Sequence, residues 1–164
     1  MGRYPLKLYT YLPNPDLWEH SLLTLVAGRK VKLGHVSVAV GQALYHIHTE
    51  GVRICKEEAV HKKLKWHECL TLDYIEMPEA DTLKSFVNED YKQSSVFYIT
   101  FWYLFGKHLG FKMPTLCSTE TCVILQKFGY NIPVLFTGEE IKEWLHENHC
   151  ILGTSRRGEN DDCS

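Results

Sequence analysis

GHVSVAVGQALYHIHTEGVRI, residues 34–54, contains three short runs rich in β-branched and aromatic side chains. Apolar and polar residues alternate within the runs, which is the period of a strand with one buried face. Gly41-Gln42 and Glu50-Gly51 separate the runs, and residues of these types form tight turns. The stretch therefore predicts three consecutive antiparallel strands, at residues 35–40, 43–48 and 51–54.

Further elements are predicted on both sides of this stretch. Residues 5–11 and 67–75 read as two more strands, again because apolar and β-branched residues dominate them. A helix is expected from Asp16, a plausible cap, to Gly28. Another helix is expected to open at Pro78 and to run to about Tyr91.

The C-terminal half is predicted to be helical. Residues 94–111 are aromatic or apolar on nearly every side, which favours a buried helix; the alternative is the wall of a groove beside an active site. Helices are expected at residues 117–128, ending at Gly129, and from Thr137 to about His146. Residues 1–152 then form one α+β domain, a small antiparallel sheet packed against helices, and residues 153–164 form a mobile polar tail.

Composition limits the class of protein. The chain has 164 residues, 45% of them hydrophobic and 23% charged, and a formal net charge of −2. These values fit a domain with its own core and give no sign of a nucleic-acid binder. Apolar runs stay shorter than the roughly 18 residues of a membrane span, and the first residues do not resemble a secretory signal. We therefore expect a cytoplasmic protein without a transmembrane segment, whose six cysteines are reduced thiols.

Cys117 and His35 are the candidates for chemistry. Cys117 follows a proline-containing break and opens a helix, where the free N–H groups lower the pKa of a thiol and bind an oxyanion. His35 begins a strand and is a suitable base for that thiol. His46 lies on the next strand and is expected to orient the ring of His35, with His48, on the same strand face, as the alternative.

Two segments resemble motifs of the NlpC-type, papain-like cysteine hydrolases. LCSTETCVILQKFGYNIP is similar to the helix that carries their nucleophile, and the matching positions are Cys117, Ser118, Gly129, Tyr130 and Pro133. Residues 34–54 are similar to their histidine hairpin, and the matching positions are His35, Val36, Gly41, His46, Gly51 and Val52. The histidine precedes the cysteine, which is the order of the circularly permuted branch, many of whose small members are phage-encoded. Residues 17–30 fit the early tryptophan-containing helix of that branch.

This resemblance implies a permuted papain-like fold with the nucleophile helix late in the chain. It implies a cysteine hydrolase that cleaves a peptide, isopeptide or amide bond without a metal or cofactor, and it is consistent with a viral or phage origin. Cys117 would attack the carbonyl carbon, His35 would transfer the proton and His46 would hold His35. The expected partners are a protein, a peptide or an acyl substrate.

The chain departs from the family at Leu116 and Thr119, where the enzymes that cleave bacterial cell walls have Asp or Asn and Gly. Leucine cannot pair with the amino group of a cell-wall peptide, so another substrate is expected. A thiol acyltransferase or thioesterase, with residues 94–111 lining an acyl groove, is one alternative. A non-catalytic inhibitor that binds another protein is the other.

Two weaker readings concern other cysteines. Cys122 is an alternative nucleophile, although five positions from Cys117 place it on a different helix face. The motif HENHC contains His146, His149 and Cys150, which together with Cys163 could bind a metal ion. It is a weak candidate, because the sequence has no second pair of ligands at the spacing typical of a zinc site.

Overall fold

The computed structural model describes residues 2–12 and 33–157, which form an α+β fold built on one antiparallel sheet. Its six strands lie in the order β4-β3-β2-β1-β5-β6. The strands are β1 (Arg3–Tyr11), β2 (His35–Val40), β3 (Ala43–His48), β4 (Gly51–Lys56), β5 (Trp66–Glu76) and β6 (Gly153–Arg156). Every neighbouring pair is antiparallel.

Six α-helices accompany the sheet in the described residues. They are α1 (Glu57–His61), α2 (Ala80–Ser85), α3 (Val96–Phe101), α4 (Lys107–Leu109), α5 (Cys117–Lys127) and α6 (Gly138–Glu147). A π-helical turn, Trp102–Gly106, joins α3 to α4, so that the three pieces form one continuous helical rod. Within the described ranges, no helix has the length and apolar character needed to cross a bilayer.

Strand alternation divides the core between the two faces of the sheet. The larger core lies on the face that packs against α5 and α6, and it includes Leu8, Val38, Tyr45, Leu70, Leu125 and Ile141. The smaller core lies on the opposite face, near α1, and consists of Tyr9, Tyr11, Ala39, Leu44, Val60 and Cys69. Val36 and His35, adjacent on β2, therefore direct their side chains to different faces.

The predicted strands are confirmed. Residues 35–40 and 43–48 are strands with those bounds, and the strands predicted at 5–11, 51–54 and 67–75 are each somewhat longer. Gly41, in the turn between β2 and β3, has a φ of 57°, a left-handed conformation that glycine adopts without strain. The helix expected from Asp16 to Gly28 and the residues 17–30 of the early helix lie outside the described residues.

The helix predicted from Pro78 to Tyr91 is too long. Helix α2 covers only Ala80–Ser85. The side chain of Asn88 accepts a hydrogen bond from the Asp90 N–H at 3.2 Å, and the carbonyl of Asn88 accepts one from Tyr91. Such local bonds compete with helix formation and turn the chain.

The helix predicted within residues 94–111 is present, but it is not buried on all sides. Ile99, Trp102 and Gly106 face the interior, whereas Phe97 keeps 75% and Leu109 67% of its surface exposed. The interpretation of this segment as a fully buried helix is therefore wrong, because only one of its faces packs on the domain.

The first residues of the tail predicted at 153–164 belong to the sheet, and residues 158–164 lie outside the described residues. Residues 153–156 form β6, which pairs with β5 at the edge of the sheet, with Arg156 opposite Glu68. Arg156 and Lys142 both contact the carboxylate of Glu68, which is almost fully buried. This ionic contact joins β5, β6 and α6, so residues 153–156 are part of the fold.

Candidate functional site

Cys117 is the first residue of α5, as the sequence predicts. The N-cap is Leu116, whose side chain has no oxygen, so only half of a capping box is formed: Thr119 Oγ1 accepts the N–H of Leu116 at 2.8 Å. Helix α5 ends at Lys127, and Gly129 follows the C-cap Phe128 with a φ of 95°. The first N–H groups of the helix thus remain free to act on the sulfur or on a substrate oxygen.

Contacts to α6 and the segment before it fix the start of α5. Ser118 is buried, and its hydroxyl donates to the carbonyl of Phe136 at 2.6 Å. Thr137 and Glu140 cap α6 reciprocally, as the sequence predicts. A Cβ atom at Gly138 would lie 2.8 Å from Val36 Cγ1, so glycine permits the close approach of α6 to β2.

The sulfur of Cys117 lies where β2 and β3 separate. Pairing between these strands runs from Val40↔Ala43 to Val38↔Tyr45, while β3 stays paired with β4 as far as His48↔Gly51. Beyond Tyr45 the two strands are unpaired. There the backbone N–H of Val36 donates a hydrogen bond to the sulfur of Cys117 and lowers the pKa of its thiol. Cys117 is consequently placed beside Val36, whereas the side chain of His35 lies on the opposite face of the sheet, with Tyr11, so the structure does not bring the sulfur and the imidazole together.

The pKa of Cys117 is shifted in the direction opposite to the one expected. Burial raises the pKa of the thiol, and the N–H groups of Val36, Ser118 and Cys117 itself lower it by less. The desolvation of a thiolate thus outweighs its stabilisation by the helix terminus. Cys117 rests as a thiol, and a base must remove its proton during any reaction.

His35 is held by a residue that the sequence analysis did not identify. Its Nε2 lies 3.2 Å from Ser37 Oγ, and its ring centroid lies 5.4 Å from that of Tyr11. Residues two apart on a strand share a face, so the spacing of His35 and Ser37 could have identified this contact. With Nε2 engaged by Ser37, Nδ1 is the ring nitrogen that can accept a proton.

His46 and His48 complete a cluster of three imidazoles. The ring centroid of His46 lies 6.2 Å from that of His35 and 3.8 Å from that of His48. Nδ1 of His46 is buried and has no hydrogen-bond partner among the described residues. In this state Ser37, rather than His46, makes the hydrogen bond to His35.

The cluster carries no charge at neutral pH. Burial lowers the pKa of His35 to about 4, and repulsion by the charged forms of His46 and His48 adds to this shift. Burial and His48 likewise lower the pKa of His46 to about 4. Neutral His35 is therefore in the protonation state required of a general base.

This cluster predicts that acid destabilises the fold. His35 and His46 have a lower pKa in the folded than in the unfolded chain, so the unfolded chain binds more protons between pH 6.5 and about 4. Stability must fall as the pH is lowered through that window, by roughly 3 kcal/mol for one such histidine. Urea unfolding at pH 7 and pH 4 measures this loss. The variants His35→Asn and His46→Asn should each show a smaller loss, and an unchanged pH dependence in both would contradict it.

Tyr91 is a further polar group near the sulfur. Burial raises the pKa of its phenol, and the charges of Cys117 and Glu120 raise it further, which requires both groups to lie near it. Its hydroxyl is buried without a partner among the described residues. No sequence motif marked Tyr91, because the turn that brings it to α5 was not anticipated.

The remaining candidates are less suited to chemistry. Cys122 is fully buried, its sulfur accepts the N–H of Leu135 at 3.4 Å, and burial raises the pKa of its thiol to about 11. Among the described residues, no group of three or more histidine, cysteine or acidic side chains is arranged to hold a metal ion. His146, His149 and Cys150 are described, whereas Cys163 lies outside the described residues.

Comparison of the chain with protein-family models, with curated proteins and with solved structures gave no match.

Proposed function

We propose that the chain is a cysteine hydrolase with a circularly permuted papain-like fold, which cleaves a peptide, isopeptide or amide bond. One observation carries the proposal. The N–H of Val36 donates a hydrogen bond to the sulfur of Cys117. The nucleophile helix and the histidine hairpin are therefore in contact, although they lie far apart in the sequence. Each segment separately resembles a motif of this class, and an enzyme of this class requires the two segments to be neighbours.

The neutral state of the pair determines the order of proton transfers. Nδ1 of His35 takes the proton of the Cys117 thiol as the sulfur attacks the carbonyl carbon. The carbonyl π electrons move to the oxygen, which the N–H of Cys117 stabilises. The tetrahedral intermediate then expels the amine, which takes the proton from His35, and a thioester remains on Cys117.

Water completes the cycle. His35 removes a proton from the water molecule, the resulting hydroxide attacks the thioester, and the sulfur leaves with the proton from His35. Ser37 holds Nε2 of His35 throughout, and His46 supports the ring from the next strand. In this structure Cys117 and the ring of His35 lie on opposite faces of the sheet and share no hydrogen bond. The proposed reaction therefore requires the start of β2, which is not paired with β3, to turn His35 toward the sulfur when substrate binds.

A thiol acyltransferase or thioesterase is the second candidate. The specific observation in its favour is the exposed aromatic surface formed by residues 97–111, which would suit a lipid-like acyl chain. The chemistry up to the thioester is the same, and an alcohol or amine replaces water in the transferase.

A substrate panel tests both candidates. Fluorogenic peptide amides, ubiquitin-like isopeptides and acyl esters are compared with purified cell-wall muropeptides, with Cys117→Ala as the blank. We expect turnover of an amide or acyl substrate. The rate should fall as the pH is lowered through about 4, because His35 becomes protonated there. Turnover of muropeptides alone would contradict the substrate class, because Leu116 offers their amino group no partner. Turnover of nothing in the panel would favour a non-catalytic binding protein.

A further inference from the structure

A row of apolar side chains projects from the rod formed by α3, the π turn and α4. Positions 97, 101, 104 and 105 share one helical face, opposite the buried Ile99, Trp102 and Gly106. Six exposed leucine and phenylalanine side chains form this surface, which we name the aromatic ridge: Phe97, Phe101, Leu104, Phe105, Leu109 and Phe111. The other exposed positions between 97 and 111 are Lys107, His108 and Gly110. A contiguous apolar surface of this kind marks an interaction site on a protein.

The ridge is held in place rather than loosely attached. Trp102 Nε1 donates to the carbonyl of Phe111 at 3.0 Å, and the Tyr98 hydroxyl donates to that of Lys112 at 2.7 Å. These bonds fold Phe111 back to 5.7 Å from Phe101, measured between ring centroids. A preformed surface loses little conformational freedom on binding.

The base of the ridge is joined to the segment that leads into α5. Ser94 and Thr115 exchange two hydrogen bonds, of 2.9 Å and 2.8 Å. Trp102 and Tyr103 pack on the ring of Phe136, with centroid separations of 5.2 Å and 5.8 Å. The carbonyl of Phe136 in turn accepts the hydroxyl of Ser118, the residue after Cys117.

Charge indicates what covers the ridge. The chain as a whole has a formal net charge of −2, yet residues 91–119 contain no Asp or Glu and carry three exposed lysines: Lys92, Lys107 and Lys112. Lys107 and Lys112 flank the end of the ridge, and no ion pair joins either of them to another residue in the described part of the chain. Aromatic rings beside unpaired lysines match the boundary of an anionic bilayer, where rings enter the acyl region and ammonium groups meet the headgroups.

We propose that the aromatic ridge is a peripheral membrane-binding surface, and that its ligand is the interface of a bilayer containing anionic lipid. The inference goes beyond the proposed hydrolase and does not depend on it, since it requires only the ridge and its lysines.

Vesicle sedimentation tests the proposal, with phosphatidylcholine vesicles compared with vesicles that also contain about 30% phosphatidylserine. We expect preferential binding to the anionic vesicles, weakened by salt. Phe97→Ser/Phe105→Ser should lower the partition coefficient at least about tenfold, and Lys107→Glu/Lys112→Glu at least about 25-fold. Cys117→Ala should bind like the wild type, which separates this result from the fate of the proposed activity.

Matched controls carry the same substitutions elsewhere on the surface. Leu64→Ser/Tyr74→Ser removes two exposed apolar side chains, and Lys63→Glu/Lys65→Glu reverses two exposed lysines. Both should bind vesicles like the wild type, and circular dichroism confirms that each variant is folded. Three results would overturn the proposal: no binding to anionic vesicles, equal weakening by ridge and control variants, or a wild-type dimer in sedimentation velocity that Phe97→Ser/Phe105→Ser makes monomeric.

Discussion

Replacement of Cys117 by alanine is expected to lower turnover of the preferred amide or acyl substrate at least about a thousandfold, because the covalent route depends on the sulfur. The side chain is small and half-buried, so the same change should alter the free energy of unfolding by only about 1 kcal/mol. Steady-state kinetics and urea unfolding on the same samples separate the two effects.

Other cysteines and the residues around His35 supply the controls. Cys55→Ala and Cys150→Ala remove half-buried thiols away from the start of α5 and should retain activity. His35→Gln should reduce kcat nearly as far as Cys117→Ala, since the thiol then has no base. Ser37→Ala should reduce it less, by about tenfold, because only the orientation of His35 is lost. Equal activity of Cys117→Ala and the wild type would exclude Cys117 as the nucleophile.

Lys142→Met is expected to produce the largest loss of stability among single surface-accessible changes, about 3 kcal/mol. Burial alone raises the pKa of Glu68, but the hydrogen bonds and charges of Lys142 and Arg156 outweigh it and hold the pKa below its ordinary value. Glu68 is thus a buried carboxylate, and removal of Lys142 leaves it with Arg156 alone. Urea unfolding at pH 7 measures the loss.

A double-mutant cycle shows whether the loss comes from the uncompensated charge. In a Glu68→Gln background, Lys142→Met should cost only about 1 kcal/mol, because no buried charge remains. Lys62→Met breaks the exposed Lys62–Glu58 pair and should leave the free energy of unfolding unchanged within the error of the measurement. Equal costs in the wild-type and Glu68→Gln backgrounds would contradict this account of how α6 is held to the sheet.

Local patterns were sufficient to predict the elements that hold the candidate site. The alternation in residues 34–54 gave β2, β3 and β4, and Gly129 and Thr137 marked the end of α5 and the start of α6. These features depend on residues close together in the sequence, because hydrophobic periodicity and helix capping involve only near neighbours. For that reason the positions of Cys117 on a helix start and of His35 on a strand start were also predicted.

Features that depend on tertiary contacts were missed. The sequence suggested a lowered pKa for Cys117 from the helix terminus, but the packing of α5 on β2 buries the sulfur and reverses the sign. The contact of His35 with Ser37 was not predicted, because the resemblance implied His46 as the residue that orients His35. Residues 94–111 were predicted to be buried because apolar residues occur on nearly every side of the helix, and only the packed structure shows which face meets solvent.

The pairing of Cys117 with His35 is tested most directly by trapping the thioester. The protein is mixed with an activated acyl ester, quenched in acid within the first turnover, and analysed by intact mass and peptide mapping. We expect one acyl group, on Cys117, removed by neutral hydroxylamine as a thioester is, and its rate of formation should fall at least about a hundredfold in His35→Gln. Acylation of another cysteine, or equally fast acylation of Cys117 in His35→Gln, would contradict the proposed site.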